Sequence, residues 1–448
     1  MSPLFTQALD YRRDSRDLML RLSQLPQPAF LDSGLGSDSS SRFDILAAEP
    51  VASLYSNGAT WHCSDLRVRI DPSDLFASVR VLLRKYLPWR GIVAPAEALP
   101  FIGGALGCLG YPVLNGKADL EVRDACIGIY AWAVIVDHHR QQTTFVAQPS
   151  VSPVECSRLL SLLNAEIQQP VFALQGEFTR HLRRSEYDAA FAAIKAYIAA
   201  GDCYQVNLTQ RVSAQVLGSP IAAYLQLRAR IPAPFSAFMQ WENQALLSVS
   251  PERFVQLEGR RVLTQPIKGT RPRYQDSELD RAAAAALKAS EKDRAENLMI
   301  VDLLRNDLGR VCVTGSVRTE ALFDLRSFSN VHHLVSSIRG ELLPNQDGLD
   351  LLRACFPGGS ITGAPKLRAM AVIAELEQSP RRLYCGSAFY LSACGRLDSS
   401  ITIRSLMWEG DTLSCWAGGG IVDDSEVSAE YAECFDKIGA IMAALSAG

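Results

Sequence analysis

The chain has 448 residues, a formal net charge of −3, and 48% hydrophobic against 21% charged residues. That is too long for one small core and has the balance of an ordinary soluble protein of two or three structural units. The charge excludes a basic nucleic-acid surface, and eleven scattered cysteines with no CxxC pair argue against a zinc or dithiol motif and for a reducing, cytoplasmic setting.

The N-terminus, MSPLFTQALDYRRDSRD, has no apolar segment followed by a cleavage site. The first 165 residues read as mixed strand and helix. Residues 29–33 are a predicted short strand, GLGSDSSS at 34–41 is a polar loop, and order resumes over 42–48. Apolar residues at 75, 79, 82, 83 and 86 predict a helix over 72–86. Gly104, Gly107 and Gly110 recur every third residue. This is not GxGxxG, and it predicts backbones in close approach rather than a nucleotide loop. Residues 126–137 read as one buried strand, and the longest apolar run (127–136) is too short to span a bilayer. A helix over 152–168 follows, and 166–178 reads as a connector.

From residue 180 the pattern sharpens. Ser185 is predicted to cap a helix through Ala200, followed by a strand at 204–211 and a helix at 220–230. Strands are expected at 235–241 and 245–250, then a hairpin over 254–264 that delivers Lys268. One long helix is predicted over 276–307, with further helices at 348–355, 366–378 and 428–444. Residues 384–422 read as three antiparallel strands.

Lys268 lies between Pro266 and Gly269 at a strand end, where backbone constraint favours either a turn lysine or a catalytic one. Glu430, Glu433 and Lys437 share one helix face, as do Asp293 and Glu296 on another. Two such carboxylate pairs facing each other would offer Mg²⁺ its hard oxygen ligands; alone, each is a solvated face. The glycines at 358–363 and Gly418, Gly419 and Gly420 suit either turns or amide nests for an anion. Arg404 lies among apolar strand residues and needs an internal carboxylate or a ligand's. His332 and His333 face opposite ways in a strand, so only one reaches any given site. Glu252 follows Ser250-Pro251 and could act as a general acid.

Ten motifs in order carry a resemblance: GDCYQVNLTQR, SPERF, PIKGTRPR, KDRAENLMIVDLLRNDLGR, VHHLVS, FPGGSITGAPK, YCGSAFYL, ITIRSL, AGGGIV and AEYAECFDK. Together they resemble the chorismate-utilising enzymes, among them the anthranilate, isochorismate and salicylate synthases. The early LDSG and SRFDILAAEP segments resemble the family's amino-terminal region. The resemblance implies an α+β fold with two large antiparallel sheets sandwiched between helical layers. Residues 1–165 would form the N-terminal region and 180–446 the chorismate-binding catalytic domain, packed as one body.

Anthranilate synthases resemble one another in PIAG, where this chain has PIKG. The lysine implies the branch that aminates chorismate at C4 and opens 4-aminobenzoate and folate synthesis. By this resemblance Lys268 is the nucleophile at ring C2 and Glu252 the acid for the departing C4 hydroxyl. Glu296 and Glu433 hold Mg²⁺, assisted by Glu430 and by Asp293, where the family often has the longer Glu. Arg404, Tyr384 and the amides of Gly418–Gly420 grip the enolpyruvyl carboxylate. His333 stands near C4, and Thr362, Gly363 and Lys437 line the substrate site. Isochorismate and salicylate synthases carry a water-activating lysine where this chain has Gln205. With no segment resembling a glutaminase, ammonia is expected from a separate glutamine amidotransferase subunit in a heterodimer.

Ser33, Arg42, Phe43, Asp44, Pro234 and Phe235 resemble the family's tryptophan pocket, which is regulatory or structural in different branches. Ordinary packing at the seam explains any one of them equally well. Three rivals are an anthranilate synthase that happens to contain a lysine, a non-catalytic tryptophan-binding subunit, and a Mg²⁺-dependent phosphate enzyme, which fits the glycines and carboxylates alone but leaves Lys268 and the ten ordered motifs unexplained. The second leaves Glu252, Lys268, Glu296, Arg404 and Glu433 without a purpose.

Overall fold

The computed structural model of the chain describes residues 4–34, 42–57, 60–71, 73–87, 99–115, 119–328 and 331–446. The predicted polar loop after Gly34, and Pro72 at the expected helix start, lie outside these residues.

Alternation along the strands explains the layers. On strand Phe43–Ala47, Ile45 and Ala47 enter one apolar core while Leu46 enters another. A strand with both faces apolar needs a layer on each side. The layers are a 12-stranded and an 11-stranded sheet, each built from antiparallel pairs. One core fills the space where the sheets face each other. The second lies between the larger sheet and helices Arg184–Ala199, Pro220–Arg230, Lys366–Leu376 and Val427–Ser446. The outer face of the smaller sheet is covered by helices including Leu75–Tyr86, Glu291–Gly309 and Gly348–Cys355. This is the α+β sandwich expected.

Both sheets contain strands from the N-terminal and C-terminal parts of the chain. In the larger, Ala29–Asp32 pairs with Phe235–Trp241; in the smaller, Gly104–Leu109 pairs with Ser387–Ser392. Gly107 shows why that stretch is glycine-rich. A Cβ there would lie 2.3 Å from the carbonyl oxygen of Cys126 on the adjacent strand.

Several boundaries differ from expectation, and most differences come from crossings between the sheets. The apolar run at 126–137 is two strands, Ala125–Tyr130 in the smaller sheet and Trp132–Asp137 in the larger, with the crossing at Ala131. Four strands, not three, occupy 387–421. Ser387–Ser392 and Leu397–Ile401 belong to the smaller sheet, and Ser405–Glu409 and Thr412–Ile421 to the larger. The long helix is broken at Ser290, which ends Ser277–Ala289 and caps Glu291–Gly309 by accepting from the Asp293 amide. The helix expected from Ser185 begins at Arg184, with Glu186 returning to the Arg183 backbone. The helix after Ser152 stops at Leu162, and the connector contains the edge strand Phe172–Arg180.

Candidate active site

Two sheet crossings carry site residues. The chain leaves the larger sheet after strand Gln244–Ser250 and enters the smaller at Arg253–Glu258, with Glu252 between them. It returns from Leu397–Ile401 to Ser405–Glu409, with Arg404 between. The crossings are tied together. The Ser250 hydroxyl donates to the Ile401 carbonyl (2.6 Å), the Ile401 amide to the Glu252 carbonyl (3.2 Å) and the Val249 amide to the Arg404 carbonyl (3.1 Å). Arg404 is therefore not a strand residue. It has φ +49, a left-handed conformation uncommon for a side chain of its size.

Lys268 lies on strand Ile267–Pro272, which pairs with Val331–Glu341 through a bulge at Gly269. Gly269 has φ +79, and a Cβ there would lie 2.9 Å from Leu287 and 3.0 Å from Asp293, so glycine is required. The bulge re-aims the chain locally. The half-buried Lys268 donates from Nζ to the Ser360 carbonyl oxygen at 3.3 Å. Glu252 is buried, and its backbone amide donates to the Ser250 hydroxyl at 3.2 Å. Burial raises its proton affinity to about 7, with the nearby Ser360 side chain and the charge of Lys268 restraining the rise. A carboxyl poised near neutrality suits a general acid.

The FPGGSITGAPK segment, read from sequence as turns or an amide nest, does not lead directly into its helix. A 3₁₀ turn (Gly359–Ile361), the two-residue strand Gly363–Ala364 and Pro365 precede helix Lys366–Leu376. Its carbonyls face inward to donors instead. Asn207 Nδ2 donates to Ser360 at 3.0 Å, Lys366 Nζ to Pro357 at 2.8 Å, and Arg381 to Ile361 at 2.9 Å. The buried Thr362 hydroxyl donates to its own loop at Gly358, 3.1 Å away, and a Cβ on Gly363 would lie 2.1 Å from the Gln205 carbonyl.

Arg404 is half-buried, and its partial desolvation lowers the proton affinity of its guanidinium, which among the described residues has no hydrogen-bond or ion-pair partner. A desolvated arginine without a carboxylate is prepared for an anion. His333, also buried, accepts from or donates to Thr270 Oγ1 at 2.9 Å through Nδ1, while Nε2 has no partner among the described residues. Burial, and next the charge of Arg404, push its proton affinity down to about 4, so it is neutral at pH 7. His332 points the other way, to Asp280 at 3.0 Å and Ser327 at 2.8 Å. Tyr384 stacks on Trp416, with centroids 6.2 Å apart and rings 9° from parallel.

Gly418–Gly420 lie inside strand Thr412–Ile421, not past its end. That strand pairs with Gln205–Gly218 over residues 412–421, but with Ser405–Glu409 only over 412–415. The glycines thus keep one unpaired edge toward the crossing that holds Arg404, where their free amides could meet an anion.

The two helix faces also meet. A Cβ on Gly419 would lie 2.9 Å from Glu430 Oε2, 3.9 Å from Glu433 Oε1 and 4.0 Å from Lys437 Nζ. Glu296 is held above its ordinary proton affinity by burial and by the charges of Glu430 and Asp293, against Lys268 and Lys292. Burial also opposes ionisation of Glu433, but Lys437, 2.7 Å away, outweighs it and holds the carboxyl low. Lys437 also donates to the Gly418 carbonyl (2.9 Å), and Lys292 stands 3.4 Å from Glu430. Asp293 is engaged by Arg271 at 3.2 Å. Among the described residues no three such groups form a ready cage. The donors are nonetheless all hard oxygens in mutual repulsion. That set fits Mg²⁺, which needs only one or two protein carboxylates.

At the seam between the N-terminal and C-terminal strands, the Ser33 hydroxyl and amide donate to Asp44 at 2.7 and 2.9 Å. Asp44 also pairs with His138, and Arg42 grips Asp137 at 2.8 Å while lying over the Phe43 ring. Arg253 lies over the Phe235 ring, and the backbone beside Pro234, at Ala233, touches Gly34. These six residues adjoin one seam, but the polar side chains of Ser33, Arg42 and Asp44 are already partnered.

Ser360, Asn207 and Trp416 were not singled out from sequence. Nor was the pair of Arg381 with Glu377 (2.8 Å) or that of Lys366 with Asp307 (2.6 Å). The available signal was the lysine directly after Ala364-Pro365, an unusual place for a residue that is 10% exposed.

Two sheet crossings thus carry a buried carboxyl and an arginine unpaired among the described residues, with Lys268 and a two-helix carboxylate set nearby, the make-up of an enzyme site. The chain belongs to the family of chorismate-binding enzymes, whose sequence model matches residues 56–443. It is 44% identical to aminodeoxychorismate synthase component 1 of Klebsiella aerogenes, across 97% of each chain. It is likewise 44% identical to aminodeoxychorismate synthase component 1 of Escherichia coli K12, across 96% of each. Anthranilate synthase component I from Streptococcus pneumoniae TIGR4 matches the fold with a TM-score of 0.76 at 29% identity, covering 90% of this chain and 92% of that one. The branch expected from the PIKG lysine is that of the first two relatives. No helix among the described residues is long and apolar enough to cross a membrane.

Proposed function

We propose that the chain converts chorismate and ammonia to 4-amino-4-deoxychorismate, opening 4-aminobenzoate and folate synthesis. The observation that carries this reading is the buried Glu252 carboxyl lying within reach of the charge of Lys268, whose Nζ is held on the Ser360 carbonyl. The unpaired Arg404 stands at the neighbouring crossing. An amine beside an acid near neutrality suits covalent substitution in two steps.

The Lys268 amine adds at ring C2, the two ring double bonds shift, and the C4–O bond breaks. Glu252 gives its proton to the departing hydroxyl, which leaves as water. Ammonia then attacks C4, the double bonds return, and the C2–N bond breaks to release Lys268. The surplus proton on the new amine restores Glu252. With C2 occupied, amination is directed to C4. Arg404, the edge amides of Gly418–Gly420 and Tyr384 hold the enolpyruvyl carboxylate. His333, neutral, sits at the C4 side, and Thr362, Gly363 and Lys437 border the substrate. Glu296 and Glu433, with Glu430 and Asp293 beside them, would hold Mg²⁺. When bound, the ion supplies Lewis-acid polarisation of the ring carboxylate.

A separate glutamine amidotransferase would deliver the ammonia as heterodimer partner; the "component 1" in the relatives' names supports a two-part assembly. Eleven free cysteines, most of them buried, support a cytoplasmic setting. Tryptophan at the seam would be held by rings and backbone, as a structural element rather than a regulator. The test supplies chorismate, Mg²⁺ and ammonium. A product that an added lyase turns into 4-aminobenzoate supports the reading, and anthranilate fluorescence instead would refute it.

A further inference from the structure

Three consecutive carbonyls of the loop at 360–362 are taken by one unit built around the buried Asn207. Asn207 Nδ2 donates to the Ser360 carbonyl at 3.0 Å, Arg381 to the Ile361 carbonyl at 2.9 Å, and the Asn207 amide to the Thr362 carbonyl at 2.9 Å. Arg381, paired with Glu377, also donates to the Asn207 carbonyl at 2.8 Å, which ties the unit together. Asn207 stands on strand Gln205–Gly218, which pairs with Thr412–Ile421 without a break from residue 206 to 215. The Ser360 carbonyl accepts from Lys268 Nζ as well, at 3.3 Å. The opposite end of the same carboxamide lies against the glycine edge: a Cβ on Gly420 would be 3.0 Å from Asn207 Oδ1.

We propose that Asn207 is a positioning residue for the Lys268 amine, acting by fixing the Ser360 carbonyl on which Nζ is held. This inference rests on the amination reading above. A carbonyl oxygen offers two lone-pair directions. Asn207 occupies one of them from a rigid sheet, which leaves Lys268 the other. A lysine side chain is otherwise a flexible stem with a compact donor head. Once one hydrogen is given to a fixed acceptor, the nitrogen keeps one place, and the lone pair of the neutral amine points away from the loop. Attack at ring C2 depends on that placement, because a displacement of about 1 Å can cost about 100-fold in rate. The backbone contacts of Asn207 do not involve its side chain, so the carboxamide can be changed while the strand and loop stay joined.

The test compares the intact chain with Asn207→Leu and Asn207→Asp. Leu keeps a branched side chain without a donor; Asp keeps the shape and polarity but presents only acceptors to the carbonyl. In both, kcat and the rate at which Lys268 gains a chorismate adduct should fall roughly 10- to 100-fold. KM for chorismate should change by no more than about twofold, because the loss falls on the chemical step rather than on uniform binding. A chorismate-free readout separates this inference from the functional reading. In Asn207→Leu, Lys268 has lost its fixed acceptor and should be reductively methylated by formaldehyde and cyanoborohydride several-fold faster, read by peptide mass spectrometry. Lys366, which donates to the Cys355 and Pro357 carbonyls of the same segment, should keep its rate. Unchanged methylation of Lys268 in Asn207→Leu, or an Asp variant with the parent's adduct rate, overturns the positioning role even if amination is confirmed. Faster methylation of Lys268 and Lys366 alike also overturns it, because the carboxamide would then be holding the whole loop together rather than placing one amine. If the unmodified chain does not aminate chorismate, the functional reading fails, while the methylation rates still decide the Asn207 contact.

Discussion

Arg404 acts on His333 through its charge, which adds to burial in holding the imidazole neutral, with a proton affinity near 4. Replacing Arg404 by Met should raise the His333 titration point toward its ordinary value near 6.5, though burial will keep it below. NMR of the imidazole reads this directly. The same variant should weaken chorismate binding roughly 10- to 100-fold, because a charged pair with the substrate is lost. A variant that binds chorismate normally would show that the guanidinium does not grip it.

The low proton affinity of His333 also has a stability consequence. Its folded-state value lies below its unfolded one, so the unfolded chain binds the extra proton between pH 6.5 and 4. That contribution is complete above about pH 6.5 and is lost as pH falls toward 4.

Glu252 has the opposite linkage. Its folded-state value, about 7, lies above the ordinary carboxyl value of 4.5, so the folded chain holds the extra proton between those limits. Stability should decline as pH rises through that window, by roughly 3 kcal/mol in total. Glu252→Gln should therefore unfold at higher denaturant than the parent at pH 8 and equally at pH 4, while losing roughly 10²- to 10⁴-fold in turnover. Equal midpoints at pH 8 would mean that the carboxyl is not held protonated by burial.

Glu433 faces Glu430 and Lys437 around Gly419. Glu433→Gln should raise the Mg²⁺ concentration needed for chorismate binding by roughly 10- to 100-fold, a loss typical of disturbing a metal's supporting groups. Calorimetric titration of Mg²⁺ in the presence of chorismate checks it. An unchanged midpoint would remove Glu433 from the ligand set.

Much of this architecture is written in local patterns. The helix at 348–355 and the shared faces of Glu430 with Glu433 and Asp293 with Glu296 follow from 3.6-residue spacing. The close approach at Gly107 follows from its missing side chain. The crossings were not legible. Residues on both sides of Ala131 are equally apolar because both sheets are buried, so periodicity gives no mark where the chain changes layer. Arg404 looked like a strand residue for the same reason. Ser360 was hidden differently: its glycine-rich neighbours suggested donated amides, whereas tertiary packing turned the carbonyls inward. The family motifs located the site without revealing that two of its residues stand on crossings.

The proposed amination turns on a covalent bond between Lys268 and the ring. Protein quenched after mixing with chorismate and Mg²⁺, without ammonia, and digested for mass spectrometry tests it most directly. The peptide containing Lys268 should gain the mass of chorismate less one water, and Lys268→Ala should gain nothing there. An unmodified Lys268 peptide from enzyme that goes on to aminate chorismate when ammonia is added, together with undiminished turnover in Lys268→Ala, would contradict it.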